Sequence, residues 1–88
     1  MVQLVILVPG FYVSFGEMSR VSNVGTRKLQ ECGYDDLVIS RLMLPDGRDA
    51  LAIELTGAEE VDKLVRVVSM VLPEGDWEMK VIIRVSCN

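Results

Sequence analysis

Few residues in this chain have the chemistry of an active site. Asp35 and Asp36 form a paired carboxylate, the grouping that in a cleft shares protons and performs general acid–base work. Tyr12, Ser14 and Arg20, close behind the first apolar run, complete the candidates for a nucleophile, a proton donor or an anion holder. The sequence contains no histidine, which removes the commonest base at neutral pH and the commonest metal ligand. Asp35-Asp36 stands where a turn enters the second strand, and aspartate bonds its own backbone in such turns. Cys32 and Cys87 lack metal-type spacing and read as buried or incidental thiols, their spacing leaving a disulfide open. No glycine pattern of the phosphate-cradling or dinucleotide kind occurs. The expectation is a non-enzyme with no catalytic, cofactor-binding or metal site.

Those residues must be positioned by one domain spanning 1–88. Half the sequence is apolar, a quarter is charged and no low-complexity tract interrupts it. A chain of 88 residues buries roughly 60–65% of its unfolded surface, so self-association would add useful stability. The net charge is −4, and its three lysines and six arginines form no stripe, which disfavours nucleic-acid binding. The longest apolar run, Leu4 to Pro9, is far shorter than the roughly 20 residues of a membrane span. Met1-Val2-Gln3 has no basic leader character, so a cytoplasmic location is expected.

The punctuation is more informative. Ser14-Phe15-Gly16-Glu17 and Thr56-Gly57-Ala58-Glu59 match the capping box, in which hydroxyl and glutamate each satisfy a backbone N–H. Residues 2–8 form a β-branched run typical of a central strand. A helix is predicted from about Phe15 to Cys32, with Gly33 at its left-handed cap and Gly25 allowing close packing on the sheet. Leu37 to Leu44 and Asp49 to Leu55 flank the turn sequence Pro45-Asp46-Gly47-Arg48 and predict a hairpin. Val61, Leu64, Val65, Val68, Val71 and Leu72 recur at helical spacing before Pro73. Trp77 to Val85 alternates, placing Trp77, Met79, Val81, Ile83 and Val85 on a face expected to be buried.

The order strand-helix-strand-strand-helix-strand, with right-handed crossovers, gives the α+β ferredoxin-like split βαβ sandwich. Its four-stranded antiparallel sheet would have the order 4-1-3-2, with two helices on one face. Two functions common on this architecture fail on particular positions. Base-stacking RNA binders carry aromatics on the third strand, where Asp49 to Glu54 has none. Acylphosphatases hold phosphate with an arginine in the loop after the first strand, where no basic residue precedes Arg20.

Val8-Pro9-Gly10-Phe11 before the first helix, and Cys32-Gly33-Tyr34 after it, resemble the ACT regulatory domain. That resemblance implies an amino acid or other small effector at a subunit interface, with Gly10 and Phe11 in the ligand loop. The chain departs from the family by inserting Tyr12 to Met18 and by having Val8 where an acidic residue is usual.

With the helices on one face, the other is expected to carry Gln3, Val5 and Leu7 from strand one. Ala50, Ala52 and Glu54 would come from strand three, and Lys80, Ile82 and Arg84 from strand four. Strand two would add Val38, Ser40, Leu42 and Leu44, or their alternates. An apolar centre with a charged rim marks an interaction site, and Val5, Leu7, Ala50, Ala52, Ile82 and Arg84 are its candidate residues. The functional expectation is a regulatory or protein-interaction module that forms a homodimer or docks a protein partner. An ACT-like sensor and a small acidic inhibitor from a virus or mobile element are the alternatives.

Overall fold

The computed structural model describes residues 2–56 and 60–84, the last of them by its backbone. The elements are β1 (Val2–Pro9), α1 (Phe15–Glu31), β2 (Ile39–Met43), β3 (Asp49–Leu55), α2 (Val61–Ser69) and β4 (Trp77–Arg84). All strand pairs are antiparallel and the sheet order is β2-β3-β1-β4, the ferredoxin-like layout. Both crossovers carry helices to the same face, and the sheet is left with β2 and β4 as its two edges.

Local chemistry explains the helix ends. Ser14 Oγ accepts from Glu17 N–H at 3.2 Å, but the Glu17 carboxylate turns to Arg20 (Oε1 to Nη2, 2.7 Å) instead of reaching back. The first capping box is thus half formed, because an i,i+3 guanidinium competes for its glutamate. That guanidinium also holds the Glu17 carboxyl below the ordinary carboxylate range. At the other end Gly33 takes φ +94°, Tyr34 N–H bonds Leu29 C=O, and Gly33 N–H bonds Gln30 C=O. That pair of bonds is a Schellman motif, and Tyr34 packs onto the core beyond it. The Thr56–Glu59 box lies partly outside the described residues. Helix α2 opens at Val61 with Glu60 at the cap, and no side chain bonds there.

Between the helices and the sheet lies the main core: Val5 and Leu7 of β1, Leu51, Ile53 and Leu55 of β3, and Ile39 of β2. Met18, Val21 and Leu29 of α1 meet them, with Leu64 and Val68 of α2. Gly25 sits on the buried stripe of α1, where a Cβ would overlap Ile39 Cδ1. The missing side chain brings α1 close onto β2. There Thr26 Oγ1 accepts from Ile39 N–H at 3.0 Å, and the Ser22 hydroxyl donates to Ile39 C=O.

Two expectations about the faces are overturned. Gln3, Val5 and Leu7 pair across with Leu55, Ile53 and Leu51, so they lie on the helix-covered face, not the open one. A slip of one residue in assigning a strand exchanges its faces entirely, and β1 is apolar on both sides, so alternation alone did not orient it. Strand β4 is the second case. Its odd face was expected to be buried, yet among its described residues only Trp77 packs on the core, Val85 lying outside them. Met79, Val81 and Ile83 are 44%, 43% and 56% exposed. The cause is length: nine residues of α2 span about 13 Å, whereas eight residues of β4 run about 27 Å. A short helix with one buried stripe, Leu64 and Val68, leaves most of that strand uncovered.

Candidate functional site

The open face is largely sealed by its own side chains. Ile6, Val8 and Ala50 form a second buried cluster, with Leu4, Leu42 and Leu44 packed around it. This resolves strand two: Ser40, Leu42 and Leu44 face away from the helices, while Ile39 faces them. Ala50 and Ala52 lie on the open face but keep only 0% and 8% of their surface exposed. Residues so covered offer a partner little to touch. Ile82 shares that face and is 42% exposed. Arg84, its neighbour on the alternation, closes β4 and pairs with Val2.

The apolar surface that does remain is on β4. Met79, Val81 and Ile83 point to one side and Ile82 to the other, each at least 42% exposed, along a strand with a neighbour on one side only. The pairing with β1 runs without interruption from Val2 opposite Arg84 to Pro9 opposite Trp77. No bulge interrupts it and β4 itself has no proline; of the devices that blunt a sheet edge it carries only charged residues, Glu78, Lys80 and Arg84. The other edge is treated differently. Strand β2 has five residues, Thr26 and Ser22 occupy both backbone groups of Ile39, and Arg41 lies 3.8 Å over the Phe15 ring. One edge is guarded by α1; β4 has no such cover among the described residues.

No protein-family model and no curated protein matches this chain.

The remaining candidates do not converge. Ser14 caps α1 and Arg20 is engaged with Glu17. Asp36 borders a hollow of about 380 Å³ on the open face with Leu4, Val38 and Ala52. Tyr12, 89% exposed, borders a different hollow of about 270 Å³ toward the opposite end of β1. Among the described residues no group of three or more Cys, Asp or Glu side chains is arranged to hold a metal. Cys32 is exposed at the end of α1, not buried, and Cys87 lies outside the described residues.

Gly10 and Phe11 belong to a corner. Gly10 N–H donates to Asp76 C=O at 2.8 Å, tying the start of the loop to the residue before β4. The Phe11 ring meets Trp77 edge-on, centroids 5.7 Å apart, and lies against Gly75, where a Cβ would collide with it. Trp77 Nε1 in turn donates to Pro73 C=O at 3.1 Å. Phe11 thus forms a fixed wall of the smaller hollow, whose other walls include Pro9, Val13, Met18, Arg48 and Asp49. Asp49 Oδ1 is buried there without a hydrogen-bond partner, 3.8 Å from Arg41 Nε.

Sequence reasoning missed the exposure of Met79, Val81 and Ile83. The available signal was on both faces of β4 at once: Ile82 interrupts the polar side of an otherwise strict alternation. A strand with aliphatic residues on each face suits a central position, yet this one lies at the edge.

Proposed function

We propose that this chain is a small non-enzymatic interaction module that docks protein through the β4 edge and the adjoining rim of its open sheet face. The observation that carries this reading is the exposure of four aliphatic side chains, Met79, Val81, Ile82 and Ile83, on one edge strand that nothing covers among the described residues. Exposed strand edges offer a row of backbone donors and acceptors, and a partner strand supplies both hydrogen bonds and side-chain contact there. The scatter of Ser14, Arg20, Tyr12 and Asp36 to separate tasks and separate hollows supports the non-enzymatic part.

Site-specific photo-crosslinking tests it. A photoreactive residue at Val81 is expected to give a discrete cross-linked protein species of defined mass, while one at Asn23, exposed on α1, gives none. No protein adduct at Val81, or the same adducts at both positions, overturns the reading.

A second reading has one observation in its favour. The hollow of about 270 Å³ beside Phe11 is walled by aromatic, apolar and charged groups, the mixture that small-ligand sites use. A regulatory effector site there predicts that amino acids or related metabolites raise the melting temperature, and that Phe11→Ala abolishes the effect.

A further inference from the structure

The partner that the β4 edge fits is a second copy of this chain. Resting on the docking role of β4, we infer that two copies pair antiparallel through β4 about a two-fold axis at Val81, forming one continuous eight-stranded sheet. An isologous contact must be complementary to itself, and the order of residues along β4 satisfies that condition in one register better than in its neighbours.

In antiparallel pairing, residues directly opposite share a face and interact side chain to side chain. An axis at Lys80 sets Lys80 against its own copy, and an axis at Ile82 sets Lys80 against Arg84; like charges opposed in this way destabilise a sheet. An axis at Met79 sets Glu78 opposite Lys80, a favourable match, but brings Ile83 opposite Gly75 and leaves its side chain without a counterpart. The axis at Val81 sets Glu78 opposite Arg84, Val81 opposite Val81, Met79 opposite Ile83 and Lys80 opposite Ile82. Every exposed aliphatic residue of β4 then gains a counterpart, and the one acidic residue meets a basic one. The methylenes of Lys80 cover Ile82 while its ammonium stays in water.

The other edge does not compete. Ile39, the first residue of β2, has its N–H and C=O occupied by Thr26 and Ser22, which leaves a strand of only five residues with fewer free groups to offer.

The test uses the full chain. Analytical ultracentrifugation is expected to find a species of twice the 9.8 kDa chain mass. Val81→Lys places two ammonium groups face to face at the axis and should weaken the dimer about tenfold or more, with an unchanged far-ultraviolet circular dichroism spectrum reporting an intact fold. In a Cys32→Ser, Cys87→Ser background, Val81→Cys is expected to form a disulfide-linked dimer on mild oxidation. Lys80→Cys is not, because its two copies sit diagonally across the axis, about 7–8 Å apart. A chain that stays monomeric up to about 1 mM overturns the inference, as does a dimer that survives Val81→Lys or links preferentially through position 80. A monomer that nonetheless cross-links from Val81 to a different protein overturns the self-pairing alone and leaves the docking role standing.

Discussion

The hydroxyl of Thr26 accepts the backbone N–H of Ile39 at 3.0 Å, joining the middle of α1 to the first residue of β2 across thirteen positions of sequence. The same hydroxyl donates to Ser22 C=O at 2.8 Å, so one side chain bridges helix and edge strand. Thr26→Val keeps the shape and removes the acceptor, leaving the Ile39 N–H without its partner. A loss of about 1–3 kcal/mol is expected, measured as a lower urea midpoint with an unchanged slope, and Thr26→Ser should recover most of it.

Two glycines of α1 should respond in opposite directions to alanine. Gly16 is exposed with open space around its Cβ position, so Gly16→Ala should stabilise by about 0.5–1 kcal/mol through helix propensity. Gly25→Ala gains the same propensity but forces its methyl into Ile39 Cδ1, and overpacking of this kind costs about 1–3 kcal/mol. Thermal melting separates them: Tm rises for the first and falls for the second.

The Phe11–Gly75–Trp77 corner predicts a local phenotype that can be read optically, since Trp77 is the single tryptophan. Gly75 has φ +143° and lies against the Phe11 ring, so Gly75→Ala is strained in both backbone and contact. It should lower stability by at least about 1 kcal/mol. Phe11→Ala should red-shift Trp77 emission in the folded state, as water reaches the indole edge that Phe11 covers.

The hairpin turn supplies a pH dependence. Asp46 Oδ1 accepts from Arg48 N–H at 3.0 Å and Oδ2 from Arg48 Nε at 2.7 Å. Foremost the backbone bond, then the side-chain bond, holds the Asp46 carboxyl below its ordinary 3.8. A carboxyl depressed on folding contributes stability above its unfolded pKa, and that contribution is lost as pH falls through the depressed value. Asp46→Asn should therefore flatten the acid limb of the stability profile by lowering the neutral plateau slightly, because the neutral amide never gains what the ionised carboxylate contributes there. NMR titration of the Asp46 carboxyl is expected to give a midpoint below that of a model peptide.

Much of the fold was legible because local signals and the global arrangement agree. Gly33 could only be the left-handed cap its φ of +94° confirms, and Pro45-Asp46-Gly47 the turn that Leu44 and Arg48 close with a 2.8 Å bond. The even spacing of Leu64 and Val68 marked the buried stripe of α2 without reference to any other element. Element order then left a single plausible sheet order, since right-handed crossovers must return each helix to the same face.

What the sequence could not determine was orientation and coverage. Strand β1 is apolar at Val5 and Leu7 and equally at Ile6 and Val8, so periodicity gave no way to say which pair meets the helices. Only the pairing of Val5 with Ile53, itself beneath α1, decided it. Coverage of β4 depended on how far α2 reaches, a property of helix rise and crossing position that no window of residues contains. The fold follows from patterns within each segment. The exposed edge from which function is argued follows from the mismatch between two segments, and only their packing in three dimensions reveals it.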